Sequence, residues 1–373
     1  MFPSVPAKIR NYSLVLTEHM AGSQPIRIKF IGDVAFNNRY VSALESGENP
    51  FETVSPILHD ADLVVGNLEC LAEGTSQNQK KVPRIHTSVK ALDALKNLHI
   101  GLVSLATNHV YDNLEEGFQN TVQKLNGLGI AHLGASLNKE EADRPFIFEK
   151  NGFKVGFLNY VHEDTNPKMP VEAKVYPNLY DLPRILEDIR SLKSKVDKVI
   201  LLLHWGGKCD YGYFPHEEQI DHAKRMVDAG ADAILGHHTH TFQSHLVYKD
   251  APIYFSLGNF CFDDIVMGKH VFPIRESGRK SGVVELQFSD EKIEHRVFPC
   301  RLKGLEVKPD DSLKSEFAHW QKRFNLIRKL PCGYSFYYYL LKRWEPVHFH
   351  AQQNNTTMAS VAVQKVKRIF GLA

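Results

Sequence analysis

Residues 232–240 read DAILGHHTH. A short apolar run leads to Gly236, and three of the next four side chains are imidazoles. A run of this length that stops at glycine reads as a buried strand followed by a turn. The histidines have two readings. They are a polar turn that happens to be histidine-rich, or they are one side of a metal site. Two histidines one residue apart do not decide between these. The other residues that reach the same place in the fold do.

Working outward, the same pattern recurs. RIKFI at 27–31 ends at Gly32 and Asp33. DLVV at 62–65 ends at Gly66 and is followed by Asn67 and Glu69. The strand at 102–105 leads to Asn108 and His109, and the run at 199–203 leads to His204. DAILG leads to His237, His238 and His240, and the strand at 253–257 leads to Asn259. Between these strands lie segments with helical spacing, at 51–59, 88–98, 114–128, 181–195 and 216–228. On 88–98 the apolar face is Val89, Leu92, Leu95 and Leu98. Asn151–Gly152 between two apolar runs marks a hairpin. Alternating strands and helices predict an α/β fold whose sheets are covered by helices. Six strands then deliver acids, amides and imidazoles at one end, the carboxyl end where ligands bind in such sheets.

The donor set has a chemical preference. Carboxylates, imidazoles and an amide oxygen without thiolate suit Mn, Fe or Zn better than Ca or Mg. Three histidines, two carboxylates and one amide exceed the needs of one tetrahedral ion. Two ions about 3.5–4 Å apart, sharing a carboxylate, would use them and lower the pKa of bound water to about 7. Each residue also has an ordinary reading. Asp33 suits a turn, Glu69 a solvated loop, Asn108 a left-handed turn position, and His204 a hydrogen-bonded core. Joint placement at one sheet edge favours the metal reading. His132, His216, His222 and His245 lack that placement and read as structural. Cys70, Cys209 and Cys261 lie near motifs and read as small buried hydrophobes.

The composition bounds the class. Of 373 residues, 43% are apolar and 24% charged, ordinary for a chain with a full core. A formal net charge of +2 gives no case for a nucleic-acid partner. Five scattered cysteines without a CxxC pair point to a reducing compartment. Neither a signal-peptide core nor a membrane-length apolar run is evident, so the expected location is cytoplasmic. Three regions are expected: an N-terminal extension at 1–25, a main domain at 26–305, and a helical appendage at 306–373. The appendage carries Leu313, Phe317, Trp320, Phe324 and Ile327 at helical spacing, then the aromatic run YSFYYYLLKRW at 334–344. Its last stretch holds Met358, Val361 and Ile369 beside Lys365, Lys367 and Arg368. Such a basic amphipathic end suits peripheral contact with an anionic membrane, or packing against the domain.

The motifs in order are GD at 32–33, GNLE at 66–69, TNH at 107–109, HWG at 204–206, GHHTH at 236–240 and YFSLGNF at 254–260. Together they resemble the bacterial capsule-synthesis family of the CapA and PgsA type, whose core is similar to the calcineurin-like metallophosphoesterases. The resemblance implies that fold, with a metal site at strand carboxyl ends and one or two divalent transition-metal ions. It implies that Asp33 and His240 bind the first metal, and Asn108, His204 and His238 the second. Glu69 would bridge, and His109 would be the general acid. Asn67, His237 and Asn259 would support the ligands or face the substrate. The general phosphoesterase pattern begins DxH, whereas position 35 is alanine, so one metal would lose a histidine ligand. Thr107 and Thr239 also depart from the pattern, and after HWG the nearest acid is Asp210. The implied activity is a metal-dependent, phosphoesterase-like hydrolase of capsule, exopolysaccharide or poly-γ-glutamate synthesis. The alternative is a non-catalytic accessory subunit of a surface-polymer synthase or export complex. The implied partners are an anionic polymer or phosphoester substrate and a polymer-synthase complex.

Overall fold

The computed structural model describes residues 25–74, 83–167, 169–267, 269–289, 292–330, 333–336 and 338–340. In chain order, the strands of the two main sheets begin with β1 (Ile26–Val34), β2 (Leu63–Leu68), β3 (Ile100–Ser104), β4 (Ala131–Leu133) and β5 (Phe146–Lys150). Next come β6 (Phe153–Val161), β7 (Lys198–His204), β8 (Ala233–His237), β9 (Leu246–Tyr248) and β10 (Ala251–Tyr254). The last are β11 (Asn259–Cys261), β12 (Lys280–Phe288), β13 (Ile293–Lys303) and β14 (Glu306–Pro309). The long helices are α1 (Leu114–Leu128), α2 (Leu182–Lys193), α3 (Glu217–Asp228) and α4 (Leu313–Ile327). One sheet runs β14-β13-β12-β1-β2-β3-β4, with β11 also on β1, and the other runs β9-β10-β8-β7-β6-β5.

The sheets pack face to face. Ile28, Phe30 and Leu102 of the first meet Phe157, Ile200, Leu202 and Leu235 of the second in one buried cluster. Each outer face carries helices. Val64 and Val103 pack with Phe118 and Leu125 of α1. Val199, Leu201 and Leu203 pack with Ile189 of α2 and Ile220 of α3. This is a helix–sheet–sheet–helix sandwich, in keeping with the expected α/β fold whose sheets are covered by helices. It explains why residues 199–203 are apolar without interruption. Alternate side chains enter the inner and outer cores, so neither face of β7 meets water.

Local expectations fare unequally. The β5–β6 hairpin closes through Asn151 and Gly152, with φ of 54° and 79°, the two positive angles a tight primed turn requires. Helix at 51–59 is reduced to Ser55–Leu58. Residues Ala91–Leu98 form a 3₁₀ helix. Leu92, Leu95 and Leu98 recur every three residues and fit that tighter winding, while Val89 is 40% exposed and off the buried face.

Strand pairing runs on past residue 305. Val307 of β14 pairs with Leu302, and the helical part starts at Leu313. Helix α4 shares the sandwich core. Phe317 stacks on Phe242 with centroids 4.4 Å apart, and Trp320 on Tyr213 at 4.0 Å. Tyr334 is buried and donates to the Pro215 carbonyl at 2.7 Å, while Phe336 and Tyr339 are exposed. Residues 1–24, Cys332 and the basic stretch with Met358, Val361, Ile369, Lys365, Lys367 and Arg368 lie outside the described residues. No described helix is long and apolar enough to cross a membrane.

If α4 is part of the core, Phe324→Ala should cost about 3–5 kcal/mol in urea unfolding. Leu326→Ala, at a 60% exposed site on the same helix, should stay within about 0.5 kcal/mol.

Candidate metal centre

Strand register brings the polar residues together. Asp33 of β1 lies beside Asn67 of β2 and Asn259 of β11, and Asn67 lies beside Ser104 of β3. In the facing sheet His204 of β7 lies beside His237 of β8. The approach needs glycine at two points. A Cβ on Gly32 would sit 1.9 Å from the Gly258 carbonyl oxygen, and one on Gly236 1.9 Å from that of Phe255. The Asp33 N–H instead donates to Gly258 at 2.9 Å.

Two sets of side chains converge. Glu69, His204 and His238 each offer one ligand atom, all within 4.8 Å of one another. Asp33, Glu69 and His240 do the same. Glu69 belongs to both. Asn108 joins the first set, its Oδ1 lying 2.9 Å from His204 Nε2. His238 Nδ1 is 3.1 Å from the same nitrogen. The structure thus brings the six candidate ligands together in two overlapping groups. Ala35 is buried in the apolar core, so the Asp33 set has three such donors.

Supporting residues hold these atoms. Asn67 donates to Asp33 Oδ1 at 2.9 Å, lies 3.3 Å from His204 Nδ1, and accepts from the Ser104 hydroxyl at 2.8 Å. Asn259 Oδ1 lies 2.9 Å from His240 Nδ1. His237 sits between the sheets, its Nε2 3.4 Å from the Ile31 carbonyl, and does not face outward. His109 stands across from Glu69, with Nε2 3.9 Å from Oε1.

The electrostatics follow from burial. Asp33 is fully buried and pushed up to about 7 by desolvation, against the opposing pull of His238 and Asn67. Desolvation takes His240 down to about 4 and His204 well below the ordinary range. Of the candidate ligands, His204 and His240 are therefore neutral imidazoles with lone pairs to give, beside buried carboxyl groups. Buried charge of one sign is costly unless paired. A divalent cation fits this donor set.

One acid escaped the sequence reading of the site, and Asp210 had entered it only as the acid nearest HWG. Asp112 is fully buried and lies 2.6 Å from His109 Nδ1. It also accepts from the Ile85 N–H at 2.9 Å. Its signal was the spacing in TNHVYD, where the acid stands three residues after the histidine. Asp210 lies 3.3 Å from His238 Nε2. The other histidines do structural work. His216 caps α3, and His222 Nδ1 is 2.9 Å from the Tyr180 hydroxyl. Cys70, Cys209, Cys261 and Cys300 are buried, and burial raises every one of these thiols, Cys209 and Cys300 to about 12.

The sequence has counterparts among known proteins. The chain belongs to the family described as bacterial capsule synthesis protein PGA_cap, which it matches over residues 27–264. It is 31% identical over 253 residues to the capsule biosynthesis protein CapA of Bacillus anthracis, covering 65% of this chain and 61% of that protein. It is 29% identical over 243 residues to the PGA biosynthesis protein CapA of Bacillus subtilis, covering 63% and 62%. A Mycobacterium tuberculosis relative, 27% identical over 224 residues, covers 56% of this chain and 58% of its own and is named as a probable polyglutamine synthesis accessory protein. The chain thus spans about three fifths of the length of the curated Bacillus relatives it matches. Among solved structures, the 5'-nucleotidase precursor of Thermus thermophilus aligns with a TM-score of 0.43 at 15% identity, over 82% of this chain and 60% of that one. The NAD nucleotidase of Haemophilus influenzae aligns with a TM-score of 0.43 at 14% identity, over 80% and 62%.

Asn67 is the shared partner of Asp33, His204 and Ser104. Asn67→Ala should therefore cost about 1–3 kcal/mol in chemical denaturation, since buried polar partners are left unsatisfied.

Proposed function

We propose that this chain is a metal-dependent hydrolase of the phosphoesterase type that serves the synthesis of a capsule or poly-γ-glutamate polymer. The observation that carries this reading is the pair of donor sets sharing Glu69. Asp33, Glu69 and His240 would hold one ion, and Glu69, His204, His238 and the Asn108 amide oxygen would hold a second. The mixed nitrogen and oxygen donors suit Mn, Fe or Zn. Bound there, the ions supply Lewis-acid polarisation of a phosphoryl group and a water nucleophile at neutral pH.

The protein side chains do the rest. Asp112 orients His109 through Nδ1, which leaves Nε2 directed toward Glu69 and the cluster. From there His109 donates a proton to the leaving oxygen, or stabilises charge developing on it. Asn67 and Asn259 fix the angles of Asp33, His204 and His240, as supporting hydrogen bonds do around metal ligands. His237 reaches from one sheet to the Ile31 carbonyl of the other. The substrate is a phosphoester, of an anionic surface polymer or its precursor.

One observation favours a second reading. Ala35 occupies the core where the general pattern has a ligand, so one donor set is short. A chain with a weak first site would serve as an accessory subunit, binding an anionic polymer or a polymer synthase. The name of the mycobacterial relative has the same sense.

Elemental analysis after Mn reconstitution separates the two. Two ions per chain, with hydrolysis of bis-p-nitrophenyl phosphate, is the expected result. Asp33→Ala combined with His240→Ala should abolish turnover, and activity that survives both changes would sink the hydrolase. No retained ion points to the accessory role. Asp112→Asn should lower kcat about 100-fold or more while leaving metal content unchanged.

A further inference from the structure

Where helix α4 packs on the sandwich it leaves a cavity of about 320 Å³. Three pieces of chain line it: residues 242–245 just before β9, Val297 and Pro299 of β13, and Phe317, Ala318 and Trp320 of α4. None of the candidate metal ligands belongs to it. Its size is that of a small-molecule site. Ligand sites begin at roughly 300 Å³ and are mostly apolar, with a few polar groups that fix orientation. A cavity of about 150 Å³ already takes benzene. A macromolecule could insert little more than one side chain.

Most polar groups at the wall are occupied by the fold. Gln321 accepts from the His245 N–H and donates to the His245 carbonyl, both at 2.9 Å. The Gln243 amide nitrogen donates to the carbonyls of Gly212 and Phe214, and that head group also bonds Cys209. Burial first, and then His295, lowers His245 to about 4, so its ring is neutral. Lys314 is exposed and pairs with Asp311 at 2.8 Å. Ser244 differs. It is 5% exposed, and its N–H is used on the Tyr213 carbonyl at 3.0 Å. Its hydroxyl has no hydrogen-bond partner among the described residues. A buried hydroxyl left so is costly, and native structures rarely keep one without a partner.

We propose that this cavity binds a small uncharged molecule with an apolar body and one hydroxyl or amide group, which the Ser244 hydroxyl bonds. The aromatic and aliphatic walls remove the body from water, and that burial supplies most of the affinity. A serine hydroxyl both donates and accepts, so it answers either kind of head group. A charged head is disfavoured, because the wall groups described above offer no free opposite charge to pair it.

The test is equilibrium dialysis of the full chain against 2-naphthol, naphthalene and 2-naphthoate. 2-Naphthol should saturate a single site with a sub-millimolar Kd, and 2-naphthoate should bind at least about tenfold more weakly. Ser244→Ala should weaken 2-naphthol about 3- to 10-fold, the worth of one neutral hydrogen bond, and leave naphthalene unchanged. The same substitution should hold or raise the thermal midpoint of the free chain, since the hydroxyl bonds nothing in the fold. Ala318→Trp, at an exposed position on α4, should exclude both naphthol and naphthalene while circular dichroism stays the same. Absence of saturable 2-naphthol binding, equal affinity in Ser244→Ala, or binding that Ala318→Trp leaves intact overturns the proposal. So does 2-naphthoate bound as tightly as 2-naphthol. A wild type closed to 2-naphthol that sediments as a dimer also overturns it, and gives the cavity to a second copy of this chain.

Discussion

Strand register is the constraint on which this site depends. In a pleated sheet a slip of one residue turns every side chain to the opposite face. Here the register sets Asp33 beside Asn67 and Asn259, and His204 beside His237. A single slip of β1 would send Asp33 away from its neighbours and bring Gly32 or Val34 into its place. The alternation of Ile28 and Phe30 into the inner core, with Ile31 in the outer, makes such a slip expensive. Hydrophobic packing thus fixes the geometry of the polar end, although no apolar residue serves as a candidate ligand.

Burial does a second job. The sandwich shields both strand ends, so Asp33, Glu69 and His204 are inaccessible to water. Desolvation opposes charge on each of the shifted groups, raising the Asp33 carboxyl and lowering the imidazoles. The cost of burying these groups is offset when a cation joins them. The same burial makes the Asn67 amide valuable, since one side chain answers a carboxylate, an imidazole and a hydroxyl at once.

Much of the site was legible along the chain, for a physical reason. Parallel strands deliver their polar residues at the carboxyl edge, so the polar residues just past each strand are nearly the set that lines the site. Asp33 and His204 stand in the ends of their strands, and Glu69, Asn108, His238 and His240 stand within four residues past theirs. Asp112 does not, because it reaches His109 from a turn and not from a strand end. The helical spacing of 313–327 was plain, yet periodicity alone could not tell a helix set apart from one whose Phe317 and Phe324 complete the core.

The sequence by itself determined the element types, the apolar faces and the chemical character of the donors. Those depend on local periodicity and on which atoms each side chain carries. Only the tertiary structure decided that His237 turns inward to the Ile31 carbonyl, that Asp210 reaches His238, and that Asp112 backs His109. These are distances between residues far apart in the chain, set by how two sheets pack, and no local pattern encodes them.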